Sequence, residues 1–359
     1  MKKPLVSICC ITYNHEDLIK RAIDSFLLQK VDFPIEIIIS DDKSTDRTRE
    51  IIRQSLGDKT ELFKLVFHKK NMGAIPNFFD NISRATGKYI ALCEGDDYWS
   101  DPNKLQKQVD YMEKHPDHAL CFHPVRVEYE DKTDQYETYP NDFFGEDARK
   151  WTIDKLLSIN FIQTNSVLYR RRESYSDLPV ADFIPGDWFM HVYHAQFGRI
   201  GFINETMSVY NRRAQGFMGD LMHRPDAFWK KHAVAHMQFF RALSGLFSND
   251  KNKQDIITGS ANRVMDAIVH SLQEVDPLTI RQICEQFSEF AFSYIKMIRQ
   301  REQDAEKEKT ALVVSLHDQK RQLLEQDSQI SKILSSNSYK IGYRATAPYR
   351  MFRRTKDSE

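Results

Sequence analysis

The sequence predicts an α/β protein in which a mainly parallel sheet carries helices on both faces. Over the first ~130 residues, short runs rich in β-branched residues alternate with amphipathic segments of helical period. These apolar runs are nearly unbroken, as is typical of strands buried on both sides. From about residue 226 onward the pattern is helical only, so we expect a helical extension that follows the sheet.

The alternation predicts the elements one after another. Strands and helices are expected in turn at 5–11, 16–28, 35–40, 45–56, 62–67, 78–85 and 89–93. Asp101 and Pro102 are residue types that begin a helix, as N-cap and first-turn residue. A mixed segment follows, with a helix near 152–158, a strand near 162–169 and a helix over 186–198.

Four parts are expected along the chain: a sheet domain over 1–225, a helical extension over 226–300, a long helix over 301–335 and a tail over 336–359. In the long helix, Leu316, Leu323 and Ile330 are spaced by seven, but Gln319 and Gln326 lie in the same seam. The pattern therefore specifies a coiled coil only weakly, and such a coil would join copies of the chain.

The tail combines six basic residues with aromatic ones over 338–356 and contains no acid there. This composition suits peripheral contact with an anionic membrane surface, while Pro348 prevents one continuous helix. A disordered or partner-docked basic tail fits the same residues.

Composition excludes several classes of protein. Lys plus Arg and Asp plus Glu number 51 each, and this balance gives no general basic surface for nucleic acid. The five cysteines form no CxxC pair and are expected to be reduced thiols. No apolar run is long enough for a membrane span, and the first one is too short for a signal peptide. We therefore expect a cytoplasmic protein.

Polar residues follow three of the predicted strands. They are Thr12-Tyr13-Asn14, Asp41-Asp42 and Glu94-Gly95-Asp96-Asp97. In parallel sheets, ligands bind beyond the carboxyl ends of the strands. A strand-end acidic pair suits Mn²⁺ or Mg²⁺, which would neutralise a diphosphate leaving group. A solvated acidic turn that caps the next helix is the alternative for the last of these segments.

The segments VSICCITYN, SDDKSTDRT and ATGKYIALCEGDDYW occur in the order and spacing of family 2 glycosyltransferases. The resemblance covers roughly residues 4–215. It implies the GT-A fold, a nucleotide-sugar-binding α/β sheet whose acidic motif is a DxD variant. Here the variant is Glu94-Gly95-Asp96, with Asp97 directly after it.

The resemblance also implies roles on the donor side. Tyr13 resembles the residue that packs on the nucleotide base, and Asp42 the one that bonds the base imide N–H. Asp96 resembles the residue near the ribose and metal, and Asp97 a metal ligand, while Glu94 stands where the family more often has Asp. The complete donor set implied is Thr12, Tyr13, Asn14, Asp41, Asp42, Glu94 and Asp96, with Asp96 and Asp97 on the metal.

Simpler roles fit some of these donor-side residues. Tyr13 could be a core aromatic residue, and Asp41 or Asp42 could cap the helix that is expected to begin near Thr45.

On the acceptor side, Asp187 in PGDWFMHVY resembles the general base of the family, and Trp188 would help to form a water-poor acceptor pocket. A helix N-cap is the alternative role for Asp187. Gln163, Thr164 and Asn165 are candidates to face the cleft, and strand alternation admits only some of them, among which we select Thr164.

One departure from the family concerns the diphosphate. Relatives often carry a histidine just past the last core strand, where this chain has Asn211, Arg212 and Arg213. Arginine can bind a diphosphate bidentately, so Arg212 and Arg213 are the predicted diphosphate ligands.

The resemblance implies a metal-dependent, inverting transfer from a nucleoside-diphospho-sugar, UDP-linked by preference, to a glycan or lipid-linked acceptor of the bacterial surface. Processive synthases of the family add membrane spans and a QxxRW motif, so transfer of one or a few sugars is expected here. The alternative is a non-catalytic nucleotide-sugar-binding or assembly subunit. A dehydrogenase is disfavoured because TYNHED follows the first strand, where GxGxxG would be needed.

Overall fold

The computed structural model describes residues 3–130, 132–140, 151–173, 175, 178, 183–213 and 217–336. The chain divides into two compact units, and the division falls after Tyr294. The first unit contains the sheet and most of the helices. The second contains the rest of the longest helix.

The strands of the described residues are β1 (Val6–Thr12), β2 (Ile35–Asp41), β3 (Phe63–Phe67), β4 (Tyr89–Leu92), β5 (Tyr98–Trp99), β6 (His118–Phe122), β7 (Val125–Tyr129), β8 (Lys132–Tyr139), β9 (Leu168–Arg170), β10 (Arg199–Phe202) and β11 (Ser208–Arg212). Seven of them form one sheet in the order β10-β6-β9-β4-β1-β2-β3, and four form a small sheet in the order β5-β11-β7-β8. In the large sheet only β9 runs antiparallel to its neighbours.

The helices are α1 (Ile19–Leu27), α2 (Thr48–Ser55), α3 (Ala74–Ser83), α4 (Lys104–Lys114), α5 (Ile153–Ser158), α6 (Gly186–Ala195), α7 (Phe217–His223), α8 (Pro225–Leu246), α9 (Lys251–Leu272), α10 (Pro277–Gln286) and α11 (Ser288–Ser335). The predicted α/β fold with a helical carboxyl-terminal region is confirmed. The predicted helix at 78–85 begins four residues earlier, at Ala74.

The core has two parts because successive residues of a buried strand face opposite sides of the sheet. In β1, Ile8 and Cys10 pack with α1 and α4, while Cys9 packs on the opposite side. That opposite core also includes Phe239 of α8 and Ile268 of α9. The helical extension therefore shares its core with the sheet, and the predicted boundary after residue 225 falls inside the first unit.

Two local predictions are wrong. The segment expected as a strand over 162–169 contains a short 3₁₀ turn, Thr164–Ser166, and the strand begins only at Leu168. The helix expected to begin at Asp101 begins at Lys104, with Asn103 at the N-cap position. Asp101 instead accepts a hydrogen bond from the Asn103 N–H through its side chain (2.8 Å).

The second unit is the outer part of α11, in which Leu312, Leu316, Leu323 and Ile330 are more than half exposed. The predicted coiled coil over 301–335 stays a prediction. The predicted basic tail lies outside the described residues, apart from Ser336. Within the described part of the chain, no helix is both long and apolar enough to cross a membrane.

Candidate functional site at the carboxyl ends of the strands

The end of β1 delivers three polar residues to one edge of the large sheet. Thr12 is buried, and its Oγ1 lies 3.2 Å from Nδ1 of His15. The side chain of Tyr13 is 43% exposed, which excludes the alternative of a core aromatic residue. Asn14 adopts a left-handed backbone (φ 54°), and its Oδ1 accepts a hydrogen bond from the N–H of Thr45 at 2.8 Å. The loops after β1 and β2 are thus joined.

The two aspartates after β2 are buried and hold neighbouring loops. Asp41 accepts hydrogen bonds from the backbone N–H of Ser44 (3.1 Å) and from the guanidinium of Arg49. Asp42 accepts bonds from the backbone N–H groups of Met72 (2.7 Å) and Gly73 (2.9 Å). The predicted roles of Asp41 and Asp42 in base recognition therefore depend on lone pairs that these bonds leave open.

Neither aspartate caps the next helix. That helix, α2, begins at Thr48, after Arg47 at its N-cap position, and no side-chain cap bond is made.

The acidic motif follows β4 and lies against the end of β1. Gly95 is required there, because a Cβ atom would stand 2.6 Å from Oγ1 of Thr12. Asp96 is partly exposed, and its Oδ2 lies 3.6 Å from Nε2 of His15. Burial, with the charges of Asp96 and Asp187 adding to it, raises the pKa of Glu94 to about 8. The site therefore concentrates negative charge that a bound cation would relieve.

Asp97 differs from Asp96 in its surroundings. It is 1% exposed, and its two oxygens accept hydrogen bonds from the Asn165 amide and from the backbone N–H of Asn211, both at 2.9 Å. Burial, reinforced by the charges of Asp96 and Glu94, raises the pKa of Asp97 well above its ordinary value. These contacts favour a positioning role for Asp97 over the predicted role of metal ligand.

Asp187 and Thr164, which are predicted separately as acceptor-side residues, lie together in the structure. The Thr164 hydroxyl donates a hydrogen bond of 3.0 Å to Oδ2 of Asp187. Asp187 lies in the first turn of α6, and the N-cap residue is Pro185, so Asp187 is not the helix N-cap. Burial raises the pKa of Asp187, although the bond from Thr164 opposes that effect. A half-buried carboxylate with a raised pKa is suited to accept a proton.

Trp188 faces the core. Its indole N–H donates to the carbonyl oxygen of Leu156 at 2.7 Å, and its ring lies 4.9 Å from that of Phe239 in α8. These contacts favour a structural role over the predicted role in an acceptor pocket.

The two predicted diphosphate arginines lie in different surroundings. Arg213 acts electrostatically on His15, whose pKa is lowered mainly by burial and then by this neighbouring charge. Arg213 therefore acts on the same imidazole that lies 3.6 Å from Asp96. Arg212, at the end of β11, donates a hydrogen bond to the Tyr129 hydroxyl at 3.2 Å.

A divalent cation fits the acidic motif only if a substrate supplies most of its ligands. Within the described residues, no group of three or more His, Cys, Asp or Glu side chains could hold a metal ion. Mg²⁺ often takes one or two carboxylates and completes its shell with phosphate oxygens and water. The partly exposed Asp96 suits that arrangement, and Glu94 lies close enough to affect the same charge balance.

Two residues of the site were not assigned from the sequence. His15 directly follows the TYN segment in the sequence. Its position just after a strand end is the feature that identifies it as a candidate site residue. The sequence offers Asn165 only as one of three candidates to face the site, yet its amide also donates to the Val209 carbonyl (2.8 Å) and its Oδ1 accepts from Ser208 (2.9 Å). It therefore joins the acidic motif to β11.

Known proteins resemble this chain in sequence and in fold. An uncharacterised Mycobacterium tuberculosis protein is 43% identical over 252 residues, which are 70% of this chain and 71% of that protein. A Bacillus subtilis protein, named as a teichuronic acid biosynthesis glycosyltransferase, is 34% identical over 159 residues, which are 44% of this chain and 62% of that protein.

A solved structure shows the fold. It is the mannosyltransferase of Pyrobaculum calidifontis in complex with GDP-Man and Mn²⁺, with a TM-score of 0.53 and 17% identity, and the match covers 83% of this chain and 84% of that one. The likeness confirms the predicted GT-A fold. The sequence model described as Glycosyl transferase family 2 matches residues 7–215. The chain belongs to glycosyl transferase family 2.

Proposed function

We propose that this glycosyltransferase transfers a sugar, with inversion at the anomeric carbon, from a UDP-linked donor to a hydroxyl acceptor. The observation that carries the proposal is the pair formed by Asp187 and Thr164 (3.0 Å) beside the acidic motif. Asp187 raises the pKa of Glu94, so the two carboxylates share one electrostatic environment. A general base and a donor site next to each other are what a single displacement requires.

In the proposed reaction, the acceptor hydroxyl oxygen attacks the anomeric carbon from the face opposite the diphosphate. Asp187 takes the hydroxyl proton as the new carbon–oxygen bond forms and the bond to the diphosphate breaks. The raised pKa of Asp187 increases its strength as a base, and the Thr164 hydroxyl keeps the carboxylate oriented. The proton then leaves Asp187 for solvent.

On the donor side, the exposed ring of Tyr13 is available to stack on the nucleotide base. Asp42 would bond the base imide N–H with a lone pair that the bonds from Met72 and Gly73 leave open, and Asp41 would lie beside it. Asp96 would hold Mn²⁺ or Mg²⁺ together with the diphosphate oxygens. When bound, the cation would neutralise charge that develops on the leaving group. Arg213, near His15, would add a second positive charge there.

We further propose that the acceptor belongs to a bacterial surface glycan or its lipid-linked precursor, and that the enzyme works in the cytoplasm. The Bacillus subtilis relative named for teichuronic acid biosynthesis supports this glycan class. The basic tail at 336–359 would then hold the enzyme at the inner face of the membrane. Co-sedimentation of the full chain with anionic vesicles at low salt, lost on truncation after Ser335, tests the tail.

A screen of nucleotide-sugars for Mn²⁺-dependent nucleotide release tests the proposed function. The expected result is release from one donor class, accelerated by a glycan acceptor and lost in Asp187→Asn. A non-catalytic nucleotide-sugar-binding subunit would bind the donor in a binding titration, but it would release no nucleotide with any acceptor in the screen. That outcome would overturn the enzymatic proposal.

A further inference from the structure

The long helix α11 carries a continuous seven-residue repeat over 295–333. Residues spaced alternately by three and four lie along one stripe of a helix, at the a and d positions of a coiled coil. This stripe, the seam, consists of Ile295, Ile298, Glu302, Ala305, Lys309, Leu312, Leu316, Gln319, Leu323, Gln326, Ile330 and Ile333. The leucines and isoleucine spaced by seven in the sequence pattern are therefore part of a longer repeat.

The seam is open to solvent in the single chain. Every residue over 299–333 is exposed, and this stretch lies wholly within the second unit. Ion pairs along the helix, such as that of Lys307 with Asp304 at 3.4 Å, are solvent-exposed and contribute little. Helices of proteins gain most of their stability by packing an apolar face, so an exposed apolar stripe of this length indicates a partner.

The order of polar and apolar residues along the seam is the same in both directions. Counted inward from the two ends, the third position is polar at each end, Glu302 and Gln326, and so is the fifth, Lys309 and Gln319. All other seam positions are apolar. This symmetry matches an antiparallel pair of identical helices, because a two-fold axis places each a position of one helix opposite a d position of the other.

With the two-fold axis between Leu312 and Leu316, every seam residue meets a residue of its own kind. The six layers are Ile295 with Ile333, Ile298 with Ile330, Glu302 with Gln326, Ala305 with Leu323, Lys309 with Gln319, and Leu312 with Leu316. A glutamine amide has both donors and an acceptor, so it can bond either the Glu302 carboxylate or the Lys309 ammonium. The glutamines that weaken the seam as a simple coiled coil thus face its two charges.

The parallel arrangement lacks this complementarity. Two helices running in the same direction and in register would place Glu302 against Glu302 and Lys309 against Lys309. Like charges brought together at an interface are strongly unfavourable. The two charged layers therefore favour the antiparallel arrangement.

We propose that two copies of this chain associate through an antiparallel coiled coil of α11 over 295–333. The partner is a second copy because the seam is complementary to itself when reversed. The inference goes beyond the proposed function and does not depend on it, since the seam contains no residue assigned to the donor or the acceptor.

Sedimentation equilibrium of the full chain measures the association, with the monomer at 42.2 kDa. The wild type is expected to be a dimer at about 10 µM. Leu312→Glu combined with Leu316→Glu places carboxylates in the central layers and should raise the dissociation constant about 100-fold or more. Glutamate is a good helix former, so the helix itself should be kept, which circular dichroism checks.

Val314→Glu combined with Leu324→Glu is the matched control. These two residues of the same helix are also apolar and more than half exposed, but they lie outside the seam. The control adds the same charge and should keep the dimer. The inference is overturned if the wild type stays a monomer up to about 100 µM, if the seam variant keeps the dimer, or if both variants dissociate equally.

Gln326→Lys tests the orientation. In the antiparallel dimer it places a lysine opposite Glu302 twice, so the dissociation constant should fall about tenfold. Combined with Glu302→Gln, the same change should bring no gain. In a parallel dimer Gln326→Lys would bring two lysines together, so a rise in the dissociation constant would overturn the antiparallel assignment.

Discussion

The proposed donor side and the proposed acceptor side of the site are built from different kinds of structure. On the proposed donor side, Thr12 ends one parallel strand, and Asp42 and Asp96 follow two others. Backbone bonds such as that from the Asp42 N–H to the Thr12 carbonyl (3.0 Å) fix their spacing. On the acceptor side, Thr164 lies in a 3₁₀ turn and Asp187 in the first turn of α6. The sheet therefore positions the residues of the donor half, whereas a 3₁₀ turn and the start of a helix position those of the acceptor half.

The two halves also differ in the surroundings of their acidic side chains. Asp41 and Asp42 receive several donors each, including Arg49 for Asp41. Burial raises the pKa of Glu94, Asp97 and Asp187. Asp41 thus has a cationic partner, whereas neighbouring carboxylates add to the raised pKa values of Glu94 and Asp97. Each experiment below tests one side of this comparison.

The largest effect is expected at Asp187. Asp187→Asn keeps the size of the side chain and its bond from Thr164 but removes the base, so turnover should fall about 100- to 10,000-fold. Affinity for UDP with Mn²⁺ should stay within about twofold, because Asp187 belongs to the acceptor half. Steady-state transfer assays and UDP titrations measure the two quantities. Unchanged transfer, or UDP affinity that falls with turnover, would contradict the division into halves.

The donor half was predictable from the sequence to a large extent. Strand patterns and the rule that ligands bind at carboxyl strand ends located Thr12, Asp42 and Glu94 at one edge. The partners that decide the roles of these residues were not predictable. Nothing in the pattern indicated that the Met72 and Gly73 N–H groups would bind Asp42, or that Asn211 would bind Asp97, because such bonds join segments distant in sequence.

The acceptor half was predictable only through the family resemblance. The apolar run around Asn165 resembles a strand, yet Asn165 turns inward in a 3₁₀ turn because its amide has three polar partners to satisfy. Trp188 next to the base suggested an acceptor pocket, but α8 covers its ring. Local periodicity contains no information on which distant helix covers a residue.

The second prediction contrasts two neighbouring acids. Asp96→Asn removes a partly exposed carboxylate, so UDP should bind about tenfold or more weakly in Mn²⁺ while stability changes by less than about 0.5 kcal/mol. Asp97→Asn leaves one acceptor for two N–H donors and should destabilise the fold by about 1–3 kcal/mol. Titration calorimetry and urea unfolding measure the two effects. If Asp97→Asn loses Mn²⁺-dependent affinity at full stability, Asp97 is a metal ligand, as the sequence predicted.

The third prediction concerns stability and pH in the absence of metal. The pKa of Glu94 is about 8 in the folded protein and 4.5 ordinarily, so folding favours its protonated form. The resulting stability is present below pH 4.5 and is lost as pH rises toward 8. Glu94→Gln should therefore be more stable than wild type at pH 8 by about 1–3 kcal/mol, with little difference at pH 4.5.

Urea unfolding at a series of pH values measures the stability of Glu94→Gln. The control is Glu61→Gln, because Glu61 is an exposed acid far along the chain from the motif. UDP with Mn²⁺ supplies positive charge, so it should narrow the difference in unfolding free energy between Glu94→Gln and the wild type. If the unfolding free energies of Glu94→Gln and the wild type changed with pH in the same way, the neighbouring acids would not raise the pKa of Glu94.

The smallest effect is expected at Thr164, which acts on the reaction only through Asp187. Thr164→Val removes the hydroxyl at nearly constant volume and should lower turnover about fivefold, the usual worth of one hydrogen bond. That bond lowers the pKa of Asp187, so its loss raises the pKa further and moves the acidic limb of the pH–rate profile to higher pH. Thr164→Ser keeps the hydroxyl and should keep the wild-type profile. A purely structural role would instead lower turnover in Thr164→Val equally at every pH, leaving the limb where it was.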